Sequence, residues 1–199
     1  MRVLLVRHAL CDPVGVRLAG RVPGVSLNAA GRAQLAPLAA RVGRRLAGAR
    51  LDAVLASPLA RAQETAGALA RAHDVAVTTE PALNEMDLGR WTGRALDTLD
   101  HDPEWKPFNT YRSGTPAGGG ELQLQVQARA AASLLARARA TPDATVAAVT
   151  HGDVLKAVLG HLLGVPLDLQ HRIEISPASV SEVDLQSWGP RILSINDVS

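Results

Sequence analysis

Cysteine is almost absent from this 199-residue chain. Cys11 stands alone, which excludes an internal disulfide and with it the usual mark of a secreted fold. Aromatic residues make up only 3% of the sequence, too few to build base-stacking platforms for nucleic acid. Lysine occurs only at Lys106 and Lys156, so the basic side is nearly all arginine, spread along the chain with no basic tail, and the formal net charge is only +2. That pattern argues against nucleic acid as a partner. No run of about 18 apolar residues occurs, as a membrane-crossing helix would need, and the N-terminal apolar stretch is too short for a signal sequence. The expectation is a soluble, cytoplasmic protein with no membrane partner. What is present is 47% hydrophobic residues against 20% charged, enough for a substantial core in one domain spanning 1–199.

Two apolar runs end in histidine. Val3-Leu4-Leu5-Val6 leads into Arg7-His8, and Val146-Ala147-Ala148-Val149 leads into Thr150-His151-Gly152. Runs without a polar residue read as strands buried on both faces, which is the signature of a parallel sheet. In open α/β sheets ligands bind just beyond the carboxyl ends of such strands, so both histidines should project toward one crevice.

The rest of the chain alternates in the same way. Asn28 is a plausible N-cap for a helix running to Leu46, with Pro37 expected to kink it or remove one hydrogen bond. Ala53–Ala56 reads as a second strand. Ser57 is then expected to cap a helix that has Pro58 at its first position and Arg61 on its first turn. Val75–Thr78 reads as a short strand, Glu121–Ala140 as a long helix and Asp153–Leu163 as another. Ser179–Leu185 and Arg191–Ile195 read as a hairpin turning at 187–190. Residues 87–120 differ in character: Trp91, Trp105, Phe108 and Tyr111 share this stretch with three prolines and the run Gly118-Gly119-Gly120. It reads as an insertion covering the site, of the irregular kind that shapes binding pockets, with Trp91 expected in a local core.

Five blocks, taken in order, resemble the histidine phosphatase superfamily, the group that includes phosphoglycerate mutases and many small phosphatases. They are Leu5-Val6-Arg7-His8; Gly20-Arg21 with Leu27-Asn28-Ala29-Ala30-Gly31-Arg32-Ala33-Gln34; Ser57-Pro58-Leu59-Ala60-Arg61-Ala62-Gln63-Glu64-Thr65-Ala66; Leu83-Asn84-Glu85 with Leu88-Gly89-Arg90-Trp91-Thr92-Gly93; and Val149-Thr150-His151-Gly152 followed by Leu162-Leu163-Gly164-Val165-Pro166. The resemblance covers nearly the whole chain. It implies an α/β fold, a three-layer α/β/α sandwich around a mostly parallel sheet, with His8, Arg7, Arg61, Glu85 and His151 at the active site. It also implies Glu85 as the proton donor, with Asp87 as the nearby substitute.

The chemistry of these residue types agrees. A phosphoryl group in transfer spreads negative charge over its equatorial oxygens, and planar guanidinium groups such as Arg7 and Arg61 grip it bidentately without losing charge. A neutral ring nitrogen of His8 can attack phosphorus to form a covalent intermediate, and protonated His151 would add charge stabilisation. Thr150, the Gly152 backbone, Arg21, Asn28 and Arg90 are further candidates for phosphate or rim contacts, Asn28 also as a helix cap. With no His-Glu-x-x-His, cysteine cluster or aspartate-rich loop, neither a metal nor a cofactor is expected.

The expected activity is metal-independent hydrolysis of a small phosphorylated metabolite through phosphohistidine. The alternatives are a phosphomutase and a non-catalytic phospho-ligand binding protein. Leu162-Leu163 and the terminal hairpin are candidate faces for a homodimer. Where the family usually places a glycine, an acid or amide and a threonine after the arginine-histidine pair, this chain has Ala9, Leu10 and Cys11. Val14 stands near a usual asparagine, and Leu122 replaces a serine after Gly120-Glu121. Cys11 is expected as a small buried hydrophobe.

Overall fold

The computed structural model describes residues 1–12 and 15–199; Val14 lies outside the described residues. The regular elements are β1 (Arg2–Arg7), α1 (Ala29–Ala33), α2 (Leu35–Leu46), β2 (Ala53–Ala56), α3 (Ala60–His73), β3 (Val77–Thr79), α4 (Leu96–Leu99), α5 (Trp105–Thr110), α6 (Gln123–Ala140), β4 (Thr145–Thr150), α7 (Gly152–Leu163), β5 (Val180–Gln186) and β6 (Gly189–Asp197). The strands form one six-stranded sheet in the order β3-β2-β4-β1-β5-β6. β1 to β4 run parallel, and β5 and β6 add an antiparallel hairpin at one edge.

The apolar runs account for the two central strands. Val3, Leu4, Leu5 and Val6 are all buried, and successive side chains point to opposite faces, so each strand feeds both layers. Leu4, Val6, Ala147 and Val149 pack with Leu38 and Val42 of α2 and Leu69 of α3. Val3, Leu5, Val146 and Ala148 pack on the other face with Val126 of α6, Val158 of α7, Trp91 and Phe108. Each fully buried aliphatic side chain contributes about 1.5–3 kcal/mol, so both faces of β1 and β4 are strongly specified. The result is a mixed α/β fold with helices on both sides of a mostly parallel sheet, as expected.

Four local readings need correction or sharpening. The helix from Asn28 to Leu46 is two helices that break at Gln34. Pro37 thereby becomes the third residue of a new helix, where its missing N–H costs nothing because the first turn has no intrahelical acceptors for it. Ser57 does not cap α3: that helix begins at Ala60 behind an extended Leu59 with no side-chain cap, which leaves Ser57 two residues short of the cap position, its hydroxyl donating to His151 and accepting the Leu59 N–H at 3.4 Å. The third strand is Val77–Thr79, shifted from Val75–Thr78. The helix expected from Glu121 begins at Gln123, and Glu121 is free for another role. Trp91 is fully buried, edge-on to Trp105 and Phe108 at centroid distances of 5.3 and 5.2 Å, and its indole N–H donates to Asp102 Oδ2 at 2.8 Å.

Candidate active site

The register of the sheet brings the two histidines together. β1 pairs with β4 so that Arg7 lies opposite Thr150, and the His8 N–H closes the ladder on the Thr150 carbonyl at 2.9 Å. His8 and His151, one residue further on, are therefore neighbours, with ring centroids 5.1 Å apart. Arg61 reaches them from the first turn of α3, and Glu85 from the loop after Leu83. That loop is held down by Thr150, whose hydroxyl donates to the Leu83 carbonyl at 2.6 Å. Thr150 thus serves the acid loop; the sequence reading had it near phosphate.

The tautomer of His8 follows from its partners. Nδ1 lies 2.8 Å from the Ala9 carbonyl, an acceptor only, so Nδ1 carries the hydrogen. Nε2 then holds the lone pair and accepts from Arg61 Nε at 3.2 Å. Burial, reinforced by the Arg61 and Arg7 charges and opposed by the Ala9 carbonyl, pushes the imidazole down to a pKa of about 3. The ring is neutral near pH 7 with its lone pair facing the arginine cluster, which is the state a nucleophile requires.

The loop that follows is pinned on three sides. The Ala9 N–H donates to Thr65 Oγ1 at 3.1 Å, the Leu10 N–H to Gln34 Oε1 at 2.9 Å, and the Asn28 N–H to the Leu10 carbonyl at 3.2 Å. Gly31 permits this closeness, since a Cβ there would lie 2.0 Å from the Leu10 carbonyl oxygen. Ala9 and Cys11 are buried, and Cys11 also borders the cavity beside His8.

Arg61 is 1% exposed. It donates to the Gly20 carbonyl at 2.8 Å and stands 3.9 Å from Glu85 Oε2. Arg7 donates to the Ile175 carbonyl at 2.5 Å, and its guanidinium passes over Gly152, where an added Cβ would sit 3.4 Å from it. Gly152 also opens α7, whose first-turn N–H groups have no intrahelical partners.

His151 is fully buried. Its Nε2 lies 2.7 Å from Ser57 Oγ and its Nδ1 3.6 Å from Glu85 Oε2. The Ser57 hydroxyl has no other acceptor among the described residues, so it donates to Nε2 and leaves the ring hydrogen on Nδ1. The sequence reading took His151 as protonated. Burial, followed by His8 and the Arg61, Arg129 and Arg7 charges, holds it well below its ordinary pKa, so the ring is neutral and its Nδ1–H is available to donate.

Arg7 Nε, Arg61 Nη1 and His151 Nδ1 are buried without a hydrogen-bond partner. Nearly all buried polar groups are paired in folded proteins, so unpaired donors on three neighbouring side chains are what an anion with several acceptor oxygens can satisfy.

Glu85 has an opposite perturbation. Burial raises its carboxyl to a pKa of about 7, Asp153 adds to the rise, and Arg61, the Met86 N–H and Arg7 oppose it. A carboxyl poised there can both give and take a proton near neutrality. Its backbone is clamped: the Glu85 carbonyl accepts from Arg21 Nε at 2.8 Å and Arg129 Nη2 at 3.1 Å. Both arginines also bond the Glu121 carboxylate, which receives the Asp87 N–H at 2.9 Å.

Three expected rim contacts therefore have other tasks. Arg21 is committed to the Glu85 loop. Asn28 caps α1, accepting from the Gly31 N–H at 2.8 Å and donating to Asp12. Arg90 lies against Trp91 and pairs with Asp102 and Glu104. Asp87 is half exposed and turns its carboxylate to the Gly89 N–H.

The groups around His8 open into a cavity of about 180 Å³ that also takes in Arg17, Leu18, Leu88, Leu96 and Asp153. Sequence reasoning missed Ser57 in this role, together with Arg17, Arg129, Glu121 and Asp153. Ser57 and Asp153 stood inside or beside quoted motifs, whereas Arg129 gave no signal beyond its place on a helix. A larger cavity, about 690 Å³, lies at the far end of the sheet near Met1 and Trp188 and contains no histidine.

Residues 3–198 match the family model described as histidine phosphatase superfamily (branch 1). The chain belongs to the histidine phosphatase superfamily. Among superfamily relatives, the probable phosphoglycerate mutase of Proteus mirabilis is 30% identical over 194 residues, covering 94% of this chain and 86% of its own. Of solved superfamily structures, a mycobacterial glucosyl-3-phosphoglycerate phosphatase complexed with VO3 superposes with a TM-score of 0.85 at 29% identity, covering 98% of both chains. The YhfR protein of Bacillus stearothermophilus superposes with a TM-score of 0.88 at 28% identity, covering 100% of this chain and 98% of that one. Members so named are phosphatases and mutases, so this chain is an enzyme of the histidine phosphatase family.

Proposed function

We propose that the protein is a metal-independent phosphomonoesterase that hydrolyses a small phosphorylated metabolite through a phosphohistidine. The observation that carries this reading is the set of unpaired buried donors on Arg7, Arg61 and His151 around a neutral His8 whose Nε2 holds the lone pair and accepts from Arg61 Nε. The ester phosphate occupies the seat between Arg7, Arg61 and His151. His8 Nε2 forms a bond to phosphorus as the P–O bond to the alcohol breaks, and protonated Glu85 delivers its proton to the departing oxygen. The resulting Glu85 carboxylate then takes a proton from water as that water's oxygen bonds to phosphorus. The P–N bond breaks, releasing inorganic phosphate and returning His8 to its starting state. Arg7 and Arg61 carry the equatorial charge in both steps, and the His151 Nδ1–H donates to the same oxygens. Leu88 and Leu96 line the cavity, which supports residues 87–120 as the cover over the site.

A phosphomutase is the second reading, favoured by the name of the Proteus mirabilis relative. It differs in passing the phosphoryl group to a second hydroxyl instead of water.

The test is release of inorganic phosphate from a panel of phosphomonoesters in excess chelator, comparing the wild type with His8→Ala. Chelator-resistant release that His8→Ala abolishes is the expected result. Isomerised phosphoglycerate formed without phosphate release favours the mutase, and equal release by His8→Ala overturns both readings.

A further inference from the structure

One carboxylate in the cavity has no part in this scheme. Asp153, the second residue of α7, lines the same cavity as Glu85, and its Oδ1 accepts from Arg112 Nη1 at 3.0 Å. An acid in the first turn of a helix is ordinary in itself, since the helix dipole favours it. The location of this one is not ordinary. Oδ2 makes no hydrogen bond among the described residues, and the side chain is 34% exposed on the cavity wall. Its field also reaches Glu85, where it is the largest contribution after burial to the raised carboxyl.

The surrounding charges set what can approach. Arg7 and Arg61 face His8, where the phosphate sits. Arg112 is neutralised by Asp153 itself. Arg17 is exposed on the rim, where solvent and salt screen it. The wall between is apolar, with Leu18, Leu88 and Leu96. The leaving alcohol therefore meets an apolar surface and one half-satisfied carboxylate.

Resting on the phosphomonoesterase reading, we propose that Asp153 determines specificity for the leaving group. It selects alcohols that carry hydrogen-bond donors, hydroxyls or an ammonium, against alcohols that carry a carboxylate close to the ester. Donors satisfy the open oxygen of Asp153, whereas a second carboxylate is repelled by it and would displace nothing in exchange. Specificity of this kind comes as much from the repulsive element as from the attractive one.

Glycerol 1-phosphate and 3-phosphoglycerate make the comparison, because they differ chiefly in a hydroxymethyl group against a carboxylate. The quantity read is the ratio of their kcat/KM values, in the wild type and in Asp153→Asn. Where either ester turns over slowly, the ratio of their inhibition constants against p-nitrophenyl phosphate hydrolysis replaces it. A ratio cancels any loss of folded protein and any change in Glu85 that acts on both esters alike.

The wild type is expected to favour glycerol 1-phosphate, and Asp153→Asn to move the ratio toward 3-phosphoglycerate by about tenfold. A wild-type preference for 3-phosphoglycerate, or a shift under about threefold, overturns the assignment. The double variant Arg112→Gln with Asp153→Asn is expected to keep the shift. A shift that vanishes there belongs to the unpaired Arg112 and likewise overturns it. Absence of phosphate release from every ester, p-nitrophenyl phosphate included, refutes the phosphomonoesterase reading itself and is distinct from an unchanged ratio.

Discussion

Replacing Glu85 by glutamine should slow turnover sharply and at the same time stabilise the protein, by an amount that depends on pH in a calculable way. Glutamine has the shape of the protonated carboxyl and cannot ionise. In the native state the Glu85 carboxyl is raised from 4.5 to about 7 by burial and by Asp153. Below pH 4.5 it is protonated whether the chain is folded or not, and contributes no pH dependence. Between pH 4.5 and 7 the folded state keeps the proton and the unfolded chain does not, so stability of the wild type falls as pH rises, at roughly 1.4 kcal/mol per pH unit. Above pH 7 the loss is complete and amounts to about 3 kcal/mol.

Glu85→Gln lacks this loss. The difference in stability between variant and wild type should therefore grow across pH 4.5 to 7 and then level off. For a chain of this length, about 3 kcal/mol corresponds to roughly 6–12 °C in Tm. Any fixed cost of the substitution, such as a weaker partner for Arg61, shifts the whole difference curve without changing its slope. His8, depressed to a pKa of about 3, destabilises both proteins alike as pH falls below 6.5, and cancels.

The assay is thermal unfolding of both proteins at intervals from pH 4.5 to 8, at one salt concentration. A Tm difference independent of pH would refute the claim that burial holds the Glu85 proton. The kinetic counterpart is a loss of about 10²–10⁴ in kcat on alkyl esters, the usual worth of a general acid.

Other outcomes can be checked alongside. Ser57→Ala should lower kcat on the order of tenfold to a hundredfold by freeing the His151 ring to take the wrong tautomer, with recovery in Ser57→Thr; an unchanged kcat would show that the hydroxyl does not orient the ring. Gly31→Ala should destabilise the fold by about 1–3 kcal/mol or more, because the new methyl meets the Leu10 carbonyl, and denaturant unfolding at wild-type stability would contradict the close packing. Arg129→Gln should release the Glu85 carbonyl and Glu121 together and lower kcat more than it raises KM; a pure KM effect would place Arg129 in binding instead.

Several of these residues were legible in advance and several were not. Val3–Val6 and Val146–Val149 could be read as central strands because nothing polar interrupts them, and the positions of His8 and His151 at strand ends followed. Ser57 was misread because a serine before a proline and an arginine-bearing helix satisfies the local rules for a cap; its actual partner, His151, is 94 residues away. Asn28 was ambiguous between cap and ligand until its oxygen was found on the Gly31 N–H. Arg21 was drawn toward phosphate by its charge, and only the position of Glu121, 100 residues on, explains where that charge is spent.

The sequence by itself determined the parts that depend on local order: which runs are apolar enough to be buried on both faces, which residues terminate them, and which chemical groups the chain has to offer. Tertiary structure alone decided protonation and partnership. The same imidazole takes up its proton near pH 6.5 in water and stays neutral down to about pH 3, with a lone pair on Nε2, when buried against Arg61. The Glu85 carboxyl, an ordinary acid in the unfolded chain, holds its proton to about pH 7 once it is buried beside Asp153. Those differences come from desolvation and from charges brought within a few ångströms by strand register and helix packing. Both are sums over residues distant in the chain, which no local pattern contains.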